Sequence, residues 1–221
     1  MTYKLLGLSA LACLLGACAS HSKPVPQSNL IYNAPAQAYA LDLGSQAFRG
    51  AVKLRESCAP EGSSLDLTDN DGRFFRVDAI NLAGNPKIPL PDFADDPTVR
   101  ELVLRYYTDQ VYPGSQIVDG ASVNSRMGAG QYSTLKLSGQ DRYLGMLIIR
   151  RGNFAYALQH VQNSQRPVDM KAVLGVLASD LRVPGAFSGR GLDLQDSTMD
   201  IDLKNSTPEQ IAEWRKTARC S

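Results

Sequence analysis

Two histidines, four cysteines and one tryptophan in 221 residues leave little material for metal or redox chemistry. The cysteines, at positions 13, 18, 58 and 220, form no C-x-x-C pair and no Cys/His ligand spacing, so neither a thiol-redox centre nor a zinc site has support. No metal or other cofactor is expected. Charge of one sign is also missing: 23 Lys and Arg face 22 Asp and Glu. A nucleic-acid partner is disfavoured, because phosphate binding needs a basic surplus gathered on one face. No apolar run reaches the roughly 20 residues that cross a bilayer as a helix. No internal repeat is present, and 43% hydrophobic residues with this length suit one domain plus extensions.

What is present begins at the N-terminus. Lys4 precedes an uncharged stretch from Leu5 to Leu15, which ends in Leu15-Gly16-Ala17-Cys18. A basic start, an apolar run of about 7–15 residues and small residues at a cut are the parts of a secretory signal. Leu15-Gly16-Ala17-Cys18 resembles the lipobox of bacterial lipoproteins, whereas Ala10-Leu11-Ala12 before Cys13 is a poorer match. The resemblance implies export, lipidation of the Cys18 sulfur and cleavage before it. It also implies three acyl chains, palmitate among them, enough for stable anchoring where one chain is marginal. In lipoproteins of this kind Asp after the cysteine holds the protein at the inner membrane. Ala19 carries no such charge, so outer-membrane delivery facing the periplasm is expected. Loss of Lys4 with the signal brings the basic residues level with the acidic ones. Cys58 and Cys220 then remain, and an oxidising periplasm makes them a candidate disulfide. So long a loop corresponds to about 4–5 kcal/mol in the chain-entropy model.

Residues Ala19 to about Gln37, rich in Ser, Pro, Ala and Asn, read as a flexible tether. Tyr39 to Leu43 and Phe48 to Leu54 alternate like strands. Leu65-Asp66-Leu67 and Phe74 to Ile80 flank Asp69-Asn70-Asp71-Gly72 and read as a hairpin. The proline-rich Asn85 to Pro91 reads as a loop. Asp96-Pro97 fits an N-cap with Pro at the first helical position. Val99, Leu102, Val103, Tyr106 and Tyr107 line one face of that helix, which ends near Tyr112 before Pro113-Gly114. Ile117 to Val123 and Gln131 to Leu137 read as strands joined by Met127 to Gly130.

Tyr143 to Val161 gives the strongest pattern, two apolar strands around Gly152-Asn153, which fits a type II′ turn. The register pairs Ile149 with Tyr156 and Leu147 with Leu158 on one face. On the other it pairs Ile148 with Ala157 and Met146 with Gln159. Both faces are apolar, which predicts a central hairpin covered on each side. Asp169 caps a helix with Val173, Leu174, Leu177 and Leu181 as its buried stripe. Beyond Pro184 an extension carries an edge strand, Met199 to Leu203, and a short helix from the capping box Thr207-Pro208-Glu209-Gln210. Ile211 and Trp214 are expected to face the body.

From Asp96 to about Leu181 the order of elements resembles the Mog1/PsbP-like superfamily. The matching residues are the helix ending in Tyr112-Pro113-Gly114, then Gln116-Ile117-Val118, then Leu144 to Leu158, and a closing helix. The resemblance implies an antiparallel sheet between helices and a mostly non-catalytic role in binding proteins, assisting assembly or holding small molecules. It assigns no site.

Candidate chemistry is sparse. Ser133-Thr134-Leu135-Lys136 fits S-x-x-K, the spacing of serine–lysine enzymes, but on a strand the two side chains point to opposite faces. His160 faces Gly145 in the predicted register and reads as a packed histidine, while His21 lies in the tether. Asp69, Asp71 and Gly72 echo part of a calcium loop, but a hairpin turn explains them more simply. Arg126, Arg142, Arg150 and Arg151 fit either an anion-binding rim or a solvated hairpin tip. Tyr106, Tyr107 and Tyr112 fit either core or the lining of an apolar cleft.

The expected architecture is an α+β protein, an antiparallel sheet sandwiched by helices, with a C-terminal extension tied back by a Cys58–Cys220 disulfide. The expected divisions are a signal peptide at 1–17, a tether at 18–38, a Mog1/PsbP-like domain at 39–183 and the extension at 184–221. The leading functional expectation is a non-enzymatic envelope lipoprotein, held to the outer membrane through Cys18, that binds another protein in assembly or integrity. The alternatives are a small-molecule or lipid binder with a cleft beside the Tyr-rich helix, and a cell-wall hydrolase built on Ser133 and Lys136.

Overall fold

The computed structural model describes residues 31–59, 61–162, 169–183, 199–202 and 207–217. Cys13, Cys18, His21 and Cys220 lie outside the described residues, as do the signal peptide and the first part of the tether. In chain order the elements are β1 (Ile31–Asn33), β2 (Ala40–Asp42), β3 (Lys53–Ala59), β4 (Gly62–Thr68) and β5 (Phe74–Asn81). Helix α1 (Asp96–Tyr106) runs directly into a π-helical turn, Tyr107–Val111. Then come β6 (Gln116–Ser125), β7 (Gly128–Lys136), β8 (Tyr143–Arg151), β9 (Phe154–Gln162) and α2 (Met170–Asp180). Strands β10 (Leu181–Arg182) and β11 (Met199–Asp202) and helix α3 (Pro208–Thr217) complete the order.

Eight strands form one antiparallel sheet in the order β11-β3-β4-β5-β9-β8-β7-β6, and β1-β2-β10 form a small second sheet. The large sheet has two covered faces. On one, Val99, Val103, Leu104 and Tyr107 from α1 and its π turn pack on Leu144, Met146 and Ile148 of β8. On the other, Met170, Leu174 and Leu177 of α2, with Tyr32 and Leu41 from the small sheet and Tyr39 just before β2, pack in one cluster with Leu147, Ile149, Tyr156 and Leu158. The α+β class with helices on both faces is therefore present. The β8–β9 hairpin is central, and its pairs, Ile149 with Tyr156 and Met146 with Gln159 among them, are those the alternation predicts. Gly152 has φ 57 while Asn153 keeps negative φ, as a type II′ turn requires.

Several local expectations need correction. Residues 31–38 are not tether: Tyr32 is buried against the body and Ile31–Asn33 pair with β2. Phe48 to Val52 is not strand. The strand starts at Lys53 and continues through Cys58, with Glu56 turned inward. The N-cap of α1 is Asp95, whose Oδ1 accepts from the Thr98 N–H at 2.9 Å, which puts Pro97 at the second helical position. Gly128 to Gly130 belong to β7, so the turn is confined to Arg126-Met127, with Met127 buried. Asp169 has φ 59 and makes no side-chain cap bond. The buried stripe of α2 is Met170, Leu174, Leu177 and Ala178, because the helix stops at Asp180 and Leu181 enters β10. The capping box of α3 forms as expected, with Thr207 N–H to Gln210 Oε1 at 2.8 Å and Gln210 N–H to Thr207 Oγ1 at 3.2 Å.

One residue breaks the local rules. Phe93, in the loop before α1, has φ 62 and a side chain fully in solvent. A left-handed conformation costs an L-residue about 1–2 kcal/mol, and no burial offsets it at this position. Phe93→Gly is therefore expected to raise stability by about 0.5–1 kcal/mol, after Gly's own entropy cost. A urea titration that showed a lower midpoint would contradict this.

Candidate functional site

Among the described residues, those singled out by sequence do not assemble into a catalytic centre. Ser133 is 2% exposed and pairs across with Met146, while Lys136 is exposed and pairs with Tyr143 on the opposite face. His160 does pair with Gly145, lies flat on Phe75 with ring centroids 4.4 Å apart, and bonds Phe74 O through Nδ1 at 2.9 Å. Burial lowers its pKa, so it is a neutral core group. Asp69 organises the hairpin turn, accepting from the backbone N–H groups of Arg49, Asp71 and Arg73 and from the Arg73 side chain. Those bonds account for its carboxylate.

The four arginines divide. Arg150 bonds Ala94 O at 2.7 Å and pairs with Asp96 at 3.4 Å, tying the hairpin to the start of α1. Arg142 stands just before β8, at the opposite end of that strand from Arg150 and Arg151. Arg126, in the turn between β6 and β7, lies at the Arg150–Arg151 end, so Arg142 shares no rim with the other three. Cys58 is buried on the α2 side of β3.

The chemistry that the fold does gather lies under the end of α1. At 3.6 residues per turn, residues five apart on an α-helix point about 140° apart. The π turn closes that angle. Tyr112 N–H bonds Tyr107 O at 2.7 Å, and the two rings stack at 6.2 Å with 19° between planes. Both hydroxyls reach down to charged and amide groups on the sheet. Asp78 of β5 accepts from Tyr107 OH at 2.5 Å, from Gln159 Nε2 at 2.6 Å and from Arg76 Nε at 2.8 Å. Tyr112 OH donates to Gln159 Oε1 at 2.6 Å, and Arg76 also pairs with Asp66 at 3.4 Å.

Electrostatics fix the protonation of this network. Burial, then the Asp78 charge, pushes Tyr107 well up from its ordinary value. Burial likewise pushes Tyr112 up to about 12. Burial alone would pull Arg76 down, but Asp78 and Asp66 reverse this and raise it. The tyrosines stay protonated and the arginine charged at any physiological pH. Neither tyrosine nor the arginine of this network is poised to exchange a proton near neutrality.

Two recesses flank it. One of about 260 Å³ lies beside Tyr106 and Tyr107, over the ends of β3 to β5, with the Lys87–Glu61 ion pair (2.9 Å) among its lining residues. A second, of about 600 Å³, lies beyond Tyr112. Its floor is Phe74, Val161 and Leu137, its roof Val111 to Pro113, and its rim Ser138, Gln140 and Arg142. Sequence reading identified the tyrosines and Arg142, but missed Arg76, Asp78 and Gln159. The one available signal was Asp78 inside the apolar run Val77 to Ile80, where an unpaired carboxylate would be costly.

A second buried charge sits on the other face. Glu56 is fully buried and is bonded by Tyr32 OH and by Arg215 of α3 through Nε (3.0 Å) and Nη2 (2.6 Å). Arg215 Nη2 also bonds Asn33 O at 2.9 Å, and its guanidinium lies 5.8 Å from the centre of the Tyr32 ring. This arrangement locks α3 to β1 and β3. Among the described residues no group of three or more His, Cys, Asp or Glu side chains could hold a metal ion, and no helix is long and apolar enough to cross a membrane. No family model matches this chain, and a search of curated proteins finds no similar sequence.

Proposed function

We propose that this chain is a non-catalytic, lipid-anchored protein of the bacterial envelope, held to the outer membrane through Cys18, that recognises another protein during envelope assembly or maintenance. The domain is read as Mog1/PsbP-like, with its C-terminal extension joined to β3 by a Cys58–Cys220 disulfide. Support for the pairing comes from α3: Arg215 docks on Glu56, two residues from Cys58, and Cys220 follows three residues after the helix.

The observation that carries the protein-binding reading is β6. It is a ten-residue strand at the end of the large sheet, and among the described residues no strand pairs with its outer edge. Natural edges are blunted by Lys, Pro or bulges. This one has a bulge between Ile117 and Asp119, no Lys and no Pro. Ile117 and Val118 are 54% and 48% exposed. Such an edge accepts an extended segment of a partner, whose backbone bonds supply affinity and whose side chains meet the exposed pair.

The test uses the full lipidated chain, cross-linked in membranes. Replacing Ile117 and Val118 together by Lys is expected to cut recovery of the cross-linked partner about tenfold, with the melting temperature unchanged, because both side chains already face water. Equal recovery would remove the reading. A second reading, a small-molecule binder, is favoured by the recess of about 600 Å³ beneath Tyr112, a volume within the usual range of ligand sites.

A further inference from the structure

We propose that the recess between the π turn and the sheet binds an amphiphilic organic anion, its apolar body lying on Phe74 and Val161 and its acidic head on Arg142. The proposal rests on the small-molecule reading of this recess and supplies the chemical class of the ligand.

Three features converge on that class. The first is shape. Phe74 and Val161 belong to β5 and β9, which are paired at those positions, so their side chains form one continuous apolar floor. Val111 to Pro113 hang over it because the π turn carries the chain outward before the Pro113-Gly114 stop. The roof is fixed in two ways. Tyr112 is anchored to Gln159, and a Cβ placed on Gly114 would come within 3.2 Å of Ser138 Oγ, so roof and rim loops touch. A floor of this kind suits the apolar body of a ligand.

The second feature is charge. The lining holds two arginines and no carboxylate. Arg76 is already neutralised by Asp78 and Asp66. Arg142 is exposed and has no acidic partner among the described residues. Its guanidinium is a planar donor fork suited to a carboxylate or phosphate, and the recess places apolar surface within reach of it.

The third is the polar complement at the rim. The Ser138 hydroxyl and the Gln140 amide lie beside Arg142 and add neutral donors for an anionic head. Tyr112 OH is committed to Gln159, so the tyrosine contributes its ring and not its hydroxyl. The same head-and-chain chemistry is offered by a free fatty acid and by an anionic phospholipid.

The experiment uses the mature full chain and two fluorescent probes of matched body, 8-anilinonaphthalene-1-sulfonate and the neutral N-phenyl-1-naphthylamine. The anionic probe is expected to bind more tightly than the neutral one. Arg142→Gln should weaken the anionic probe about tenfold and leave the neutral one unchanged. Displacement of the bound anionic probe by decanoate, or by vesicles containing phosphatidylglycerol, would support the proposal and tell a free acid from a lipid head group. If neither displaces it, or if Arg142→Gln binds both probes as wild type does, the anion class is wrong. Val111→Asp separates the two levels of the argument. Val111 is already 40% exposed, so the variant should fold. If it leaves both probes unaffected, the recess is not a binding site and the small-molecule reading falls as well.

Discussion

Asp78→Ala should lower the free energy of unfolding by about 3–4 kcal/mol, read as a shift of the urea midpoint at unchanged slope. The size follows from what the carboxylate holds. Tyr107 OH, fully buried, loses its acceptor, and Gln159 Nε2 loses its own. A buried donor left without a partner costs about 1–3 kcal/mol. The Arg76 guanidinium loses one of its two carboxylates, but its side chain is 34% exposed, so water recovers part of that loss. Asp78→Asn keeps an acceptor for Tyr107 and should cost about half as much. Tyr107→Phe removes one of three donors and leaves Asp78 two, so about 1 kcal/mol is expected. If Asp78→Ala cost less than Tyr107→Phe, the network would not be what holds the π turn to the sheet. Because that turn forms the roof of the larger recess, Asp78→Ala should also weaken probe binding there, whereas Arg142→Gln should leave stability alone.

The parts of the fold legible in the sequence are those where a residue's neighbours are local. The β8–β9 register followed from alternation and from Gly152 at a position of positive φ, both properties of consecutive residues. The capping box of α3 is likewise contained within four positions. What escaped the sequence depends on partners far along the chain. Strand β3 reads Lys-Leu-Arg-Glu-Ser-Cys-Ala, with charge at positions of both parities. Glu56 faces the core because a guanidinium 159 residues later comes to meet it. Tyr32 lay in a segment whose composition suggested a tether, and it is buried because its hydroxyl bonds that same Glu56.

The candidate site was half legible for a similar reason. Tyr106 and Tyr107 fall on the apolar stripe of α1, and Tyr112 stood out only as the residue before Pro113. Its approach to Tyr107 depends on a π turn, and periodicity counted at 3.6 residues per turn cannot show one. Asp78 and Gln159 lie 81 positions apart and are brought within 2.6 Å by the β5–β9 pairing. A single carboxylate in an apolar run signals that partners exist without saying which. The arginines illustrate the converse: Arg142 is only eight positions before Arg150 in sequence, yet the length of β8 separates the two in space.

Arg215→Met should destabilise the protein by about 3 kcal/mol and release α3 before the sheet unfolds. Glu56 is fully buried, so removal of the guanidinium leaves its carboxylate with the Tyr32 hydroxyl and no cation from α3. Ile211 and Trp214 are only half-buried, and the indole N–H of Trp214 is buried with no acceptor among the described residues. A ten-residue helix is marginal in water without its docking contacts. The chain's one tryptophan therefore reports directly on α3. In wild type, Trp214 emission and far-UV circular dichroism should change together along a urea titration. In Arg215→Met the emission should shift red at lower urea than the loss of sheet signal. Under the proposed Cys58–Cys220 pairing, a reductant should widen that gap in Arg215→Met and have a smaller effect on wild type, where the ion pair still holds the helix. Glu56→Gln combined with Arg215→Met removes the stranded charge and should recover part of the loss, a coupling of about 1–3 kcal/mol in a double-mutant cycle. Coincident transitions in Arg215→Met, with or without reductant, would mean that neither the ion pair nor the sulfur bridge governs docking of the C-terminal helix.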